Sequence, residues 1–80
     1  MKQTFFDGQP IRVAQLKTLT RKISGSKGVI RQPAVGDEGE VVGVTRPLNM
    51  PDVIEAEMVQ DGKVIWRAEF AADEIEELPT

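Results

Sequence analysis

The stretch "VGDEGEVVGV", residues 35–44, is the most informative about the fold, because it contains three glycines among four valines. Valine favours strands, whereas glycine weakens a strand unless the chain turns sharply or passes close to another backbone. We therefore predict a tight turn that leads into a bent strand from about Glu38 to Arg46. Val41 and Val44 can both face the core only if a bulge at Gly43 shifts the alternation of side chains.

Two runs that alternate apolar and polar residues follow, at 53–59 and 63–70. Such alternation is typical of strands with one buried face. In the second run Ile65 is expected to face outward, with the charged residues. The predicted core, shared with the preceding strand, is Val41, Val44, Ile54, Ala56, Met58, Val64, Trp66, Ala68 and Phe70.

The two runs predict a β-hairpin. With regular alternation in both strands, a three-residue loop over 60–62 keeps the apolar residues on one face, and Gly62 suits the left-handed position that such a loop requires. This register would place Ala56 opposite Trp66 and Glu55 opposite Arg67.

The remaining segments are shorter or less regular. Residues 10–16 begin as a strand, and the connection over 17–32 is irregular, although the spacing of its apolar residues also permits a short helix. We expect this connection to be mobile. The proline-bracketed residues 46–52 form another connection, and residues 71–78 suit one helical turn followed by a short strand.

These elements together predict a mainly β fold. The expected architecture is an SH3-like small barrel of about five antiparallel strands, with a long loop after strand 1 and a short helical turn before the last strand. Residues 1–8 would be an N-terminal tail, 9–78 the barrel and 79–80 the C-terminal end.

Composition excludes several kinds of chemistry within this chain of 80 residues, since it has no cysteine, histidine or tyrosine. Disulfides, Cys/His zinc sites and imidazole bases are impossible. We expect neither a catalytic site nor a cofactor or metal. The residues that could be mistaken for a metal cluster are expected to form a solvated face: Asp73, Glu74, Glu76 and Glu77. With no long apolar run and no signal-peptide pattern at the start, a cytoplasmic protein without membrane contact is expected.

Charge is unevenly distributed along the chain. Residues 1–36 contain seven basic side chains and one acidic one, whereas residues 37–80 contain twelve acidic and three basic ones. The basic stretch fits contact with an acidic protein surface, contact with nucleic acid, or a plain solvated loop. The candidate partner-binding residues are the basic Lys17, Arg21, Lys22, Lys27 and Arg31, expected to form a positive lobe for encounter, and the apolar Leu48 and Met50, expected to supply affinity.

Three motifs, in order and spacing, resemble the variable chain of ferredoxin–thioredoxin reductase. They are "GDEGEVV" at 36–42, "NMP" at 49–51 and "WRAEFAADEIEEL" at 66–78, with Glu69 where the family has histidine. The resemblance implies an SH3-like barrel that does no chemistry itself and packs against a catalytic chain holding an iron–sulfur cluster and a redox disulfide. It implies a non-catalytic accessory subunit of a redox enzyme or metalloenzyme.

An alternative function follows from the same glycines. Gly36, Gly39, Val41 and Val44 also resemble the KOW motif of RNA-binding small barrels. Intervening residues in that motif are basic or neutral, whereas here they include three carboxylates. Carboxylates repel phosphate, so we expect no appreciable RNA affinity at physiological salt.

Overall fold

The computed structural model describes residues 4–79. Its elements are β1 (Pro10–Val13), β2 (Ile23–Ser24), β3 (Glu38–Thr45), β4 (Val53–Gln60), β5 (Lys63–Ala71), the 3₁₀ turn η1 (Ala72–Glu74) and β6 (Ile75–Glu77). The six strands form one sheet with the order β2-β5-β4-β3-β1-β6. All paired strands are antiparallel. The mainly β class is confirmed. No ladder joins β2 to β6 within residues 4–79, so barrel closure stays a prediction.

The turn before β3 forms where the glycines predict it. Gly36 has φ +96°, the left-handed region that glycine enters without strain. Its amide donates to the carbonyl of Val13, whose own amide donates to the carbonyl of Asp37, both at 2.8 Å. The turn therefore starts the pairing of β1 with β3.

Gly39 shows why this strand carries glycines. A Cβ at this position would overlap the backbone carbonyl of Glu57 and would contact the ring of Trp66. Two strands thus pass each other at a distance that only glycine permits. A bulge in this strand is confirmed, but it lies one residue earlier than predicted: Val42 has no partner in β4, whereas Gly43 pairs with Glu55. Val41 is buried and Val44 packs against the core as a half-buried residue.

The predicted register of the hairpin is wrong. Asp61 and Gly62 have φ values of 53° and 75°, which fit a two-residue turn that needs two left-handed residues. The pairing therefore starts at Gln60 opposite Lys63, and a bulge follows at Ile65.

Downstream of that bulge the partners differ from the expected ones. Ala56 pairs with Ala68 rather than with Trp66. Glu55 still meets Arg67, but diagonally, with 3.1 Å between Oε1 and Nη2. Ile65 is the extra residue in β5, and because of it the side chains of Ile65 and Trp66 both face the core. A strictly alternating pattern does not predict two successive buried side chains.

The core is larger than predicted. Seven of the nine predicted residues are buried, while Val44 and Val64 are half-buried. Ile65, expected to face solvent, is buried because of the bulge. The residues that join the core beyond the prediction are Phe5, Ile11, Val13, Ile65 and Ile75. Phe5 belongs to the segment that was expected to be a tail.

The connection after β1 contains the two-residue strand β2 and no helix. Past β2, it follows β5, with Ser26 N donating to Val64 O at 2.8 Å and Arg31 N to Ile65 O at 3.0 Å. β2 is a sixth strand, in addition to the five that were expected. The predicted helical turn and short last strand are confirmed as η1 and β6. No helix within residues 4–79 is long and apolar enough to cross a membrane.

Candidate docking site

A groove with a volume of about 400 Å³ lies between the connection after β1 and the proline-bracketed connection before β4. Phe70 and Ala71 of β5 and Val53 of β4 form its apolar base. Its walls are Thr18, Arg21 and Lys22 on one side and Met50, Pro51 and Asp52 on the other. The groove thus brings together three of the predicted partner-binding residues: Arg21, Lys22 and Met50. We call it the docking groove.

The second wall is held by a tight turn. Asn49 has φ +61°, and Met50 N donates to Pro47 O at 3.3 Å. Leu48 and Met50 are consequently turned outward, with 88% and 66% of their surfaces exposed. Large exposed apolar side chains beside a concave surface are typical of interaction sites.

The first wall is built on a buried ion pair between Arg21 and Glu74. Arg21 Nη2 lies 2.7 Å from Glu74 Oε2, and the two side chains are only 11% and 6% exposed. The guanidinium also lies over the ring of Phe70, 4.7 Å from its centre, a cation–π geometry. This contact places the ion pair directly beside the apolar base of the docking groove.

The Arg21 guanidinium makes its hydrogen bonds to groups of the same chain. Besides Glu74, it donates to Glu69 O at 2.9 Å and to both oxygens of Thr18. Glu74 accepts from the amides of Lys17 and Ala71, each at 2.9 Å. Glu74 is therefore not part of a solvated face, and that prediction is wrong for this residue because Arg21 and two amides accompany it into the interior.

These contacts also fix the charge of Glu74. Burial raises the pKa of this carboxyl, but the hydrogen bonds from Arg21, Lys17 N and Ala71 N outweigh burial and lower its pKa from 4.5 to about 2. The pair is therefore ionised at neutral pH.

The other predicted basic residues are spread over the surface. Lys17 pairs with Asp73 at 2.6 Å, and both side chains are more than half exposed. Arg31 forms a bidentate contact with Asp37, at 2.8 and 3.1 Å. Lys27 lies exposed in a turn and, like Arg31 and Lys17, does not line the docking groove.

Asp37 is a second internal acceptor of hydrogen bonds. It accepts from Trp66 Nε1 and from Ala34 N, both at 2.9 Å, in addition to Arg31. Burial raises the pKa of Asp37, but these hydrogen bonds, with that of Arg31 the largest, hold it below its ordinary value. This carboxylate fixes the turn before β3 to the core and is occupied by structural contacts.

The glycine-rich region of the KOW resemblance presents acidic side chains. Glu38, Glu40 and Glu57 line a separate shallow groove, and Glu40 lies directly opposite Glu57 in the ladder. Like charges in such a pair repel each other. Within residues 4–79 no group of three or more histidine, cysteine, aspartate or glutamate residues could hold a metal ion.

Comparison with known proteins identifies no matching family model, no similar curated protein and no similar solved structure.

The ion pair of Arg21 with Glu74 is not predictable from the sequence, because the two residues are separated by 53 positions. No spacing rule connects residues this distant. The available signal was indirect, since Glu74 falls on the turn that returns the chain toward the connection after β1.

Proposed function

We propose that this chain is a non-catalytic accessory subunit that docks on the catalytic chain of a redox enzyme or metalloenzyme through the docking groove and its rim. In this proposal the sheet is the wall of an SH3-like small barrel. Contacts between its distant parts support that architecture, because Ala14 N donates to Glu74 O while Arg21 reaches Glu69 O from the same connection.

One observation carries the docking proposal: Leu48 and Met50 are exposed beside a groove whose ion pair is already satisfied within the chain. Arg21 and Glu74 bond to each other and to neighbouring groups of the fold. An apolar side chain of a partner can therefore cover this wall without breaking the ion pair. Its binding would be driven by apolar area, as at the centres of protein interfaces.

The nature of the partner follows from the resemblance to the variable chain of ferredoxin–thioredoxin reductase. In that arrangement the small barrel supplies no reactive group, and a partner carries the cluster and the disulfide. A chain without cysteine or histidine fits the non-catalytic part of such an enzyme.

The experiment is affinity purification of the tagged protein from its native host, followed by identification of the retained proteins and nucleic acids. We expect a catalytic chain with cluster- or metal-binding residues. The double variant Leu48→Asp/Met50→Asp should lose it, whereas Val35→Asp, at a residue that is 62% exposed and outside the docking groove, should retain it. Recovery of RNA instead, in a salt-sensitive complex, would favour the KOW-like function and overturn the proposal.

A further inference from the structure

We infer that the docking groove also binds a second copy of this chain, giving a symmetric dimer that forms when the catalytic partner is absent. The inference rests on the proposed function only in that both use the same surface. It assigns a specific occupant to the groove of the free protein and makes self-association compete with docking.

The shape of the docking groove and its rim fits a two-fold dimer. A two-fold interface uses the same patch on both copies, so the patch must contain both a projection and a recess. Here the recess is the docking groove, with Phe70 and Val53 at its base. The projection is Leu48, which is 88% exposed and two positions from the groove wall at Met50. In the dimer each Leu48 enters the groove of the other copy.

The charges along the docking groove also fit a two-fold dimer. Two opposite charges, Lys22 and Glu69, line the docking groove, and neither belongs to an ion pair in the described part of the chain. A patch with one free charge of each sign is self-complementary about a two-fold axis. Lys22 of one copy then faces Glu69 of the other, and the same contact occurs a second time.

The ion pair in the groove wall does not oppose association. Arg21 and Glu74 are only 11% and 6% exposed, and each already has its hydrogen-bond partners. Covering them with a second copy therefore adds little desolvation, which would otherwise oppose association. A chain of about this size also leaves much of its surface unburied on folding, so apolar area remains available for association.

The test is sedimentation equilibrium of the purified protein over a range of concentrations, with charge-reversed variants. The wild type should associate to a dimer. Lys22→Glu and Glu69→Lys should each weaken self-association by roughly five- to tenfold, since each places two like-charged pairs across the axis. An equimolar mixture of the two variants should restore association as a heterodimer, because every Lys22→Glu side chain then faces a Glu69→Lys side chain.

The apolar contact is tested separately. Leu48→Asp should abolish the dimer. Val35→Asp, at another exposed apolar residue that lies outside the groove, should leave the dimer intact. Circular dichroism confirms that each variant is folded. A wild type that is monomeric at every concentration, or a mixture that associates no better than its components, would overturn the inference. A monomer that still captures the catalytic chain would overturn the dimer alone and leave the proposed function standing.

Discussion

Arg21 and Glu74 form a buried ion pair that takes the place of a neighbouring strand along the end of β5. β2 pairs only with Arg67 and Ala68 of β5. In the part of β5 that follows, Glu69 O accepts a hydrogen bond from Arg21 and Ala71 N donates one to Glu74, each at 2.9 Å. Backbone groups at the edge of a sheet otherwise need a strand or water as partners. The pair thereby ties the connection after β1 to β5 and shapes one wall of the docking groove.

Removing one member of this pair should destabilise the fold strongly. Glu74→Ala leaves Arg21 without its carboxylate and leaves two amides without an acceptor, so the free energy of unfolding should fall by about 3–5 kcal/mol. Chemical denaturation followed by circular dichroism measures it.

The matched control is Asp73→Ala, which breaks the exposed pair with Lys17. Its effect should be no more than about 1 kcal/mol. Equal effects of the two substitutions would contradict the structural role assigned to Glu74.

Acid should weaken the protein through the same carboxylate. The pKa of Glu74 is lowered from 4.5 to about 2 in the folded state, so its stabilising contribution is complete above pH 4.5 and is lost as pH falls toward 2. The difference in unfolding free energy between the wild type and Glu74→Gln should therefore shrink over this range. A difference that stays constant from pH 7 to pH 2 would show that Glu74 does not titrate in this way.

Local features of this fold were predictable from sequence, whereas distant pairings were not. The turn at Gly36, the bulge after Val41 and the helical turn before β6 each depend on a few adjacent residues. The hairpin register was mispredicted because the bulge at Ile65 breaks the alternation on which the prediction depended. Alternation alone does not reveal where an extra residue is inserted.

In the candidate site too, contact residues within one short segment were predictable, whereas ion pairs between distant residues were not. Prolines around two apolar residues in one short segment indicated Leu48 and Met50 as contact residues, and the structure shows that both are exposed. The predicted positive lobe assumed that basic residues in one stretch remain free. Instead Arg21, Arg31 and Lys17 have carboxylate partners from later parts of the chain.

The close approach of the β3 and β4 backbones at Gly39 can be tested by substitution. Gly39→Ala places a Cβ against the carbonyl of Glu57, so the strands must separate, and we expect a loss of about 1–3 kcal/mol in unfolding free energy. Gly43→Ala is the control, since the nearest atom to its Cβ would be Glu55 Oε1 at 3.9 Å. Thermal melting of both variants measures the effect. A Gly43→Ala protein that melts below Gly39→Ala would contradict the observed pairing of β3 with β4.

Trp66 should dominate the stability of the core. It is fully buried, contacts Phe70 edge-on with 5.4 Å between ring centres, and donates to Asp37. Trp66→Ala should lower the unfolding free energy by about 3–5 kcal/mol. Trp66→Phe should lower it less, because it keeps an aromatic ring while removing the hydrogen bond. Urea denaturation followed by circular dichroism compares them, and near-native stability of Trp66→Ala would contradict the core described here.

Binding of a catalytic partner chain at the rim of the docking groove can be tested by site-specific photocrosslinking in the native host. A photoreactive amino acid replaces Met50 in one strain and Val35 in a control strain, both at exposed positions. After irradiation, mass spectrometry identifies the crosslinked proteins. We expect a crosslink from position 50 to a redox or metalloenzyme catalytic chain, with none to that chain from position 35. Crosslinks to a catalytic chain from position 35 alone, or crosslinks from position 50 only to RNA-associated proteins, would be incompatible with docking at this rim.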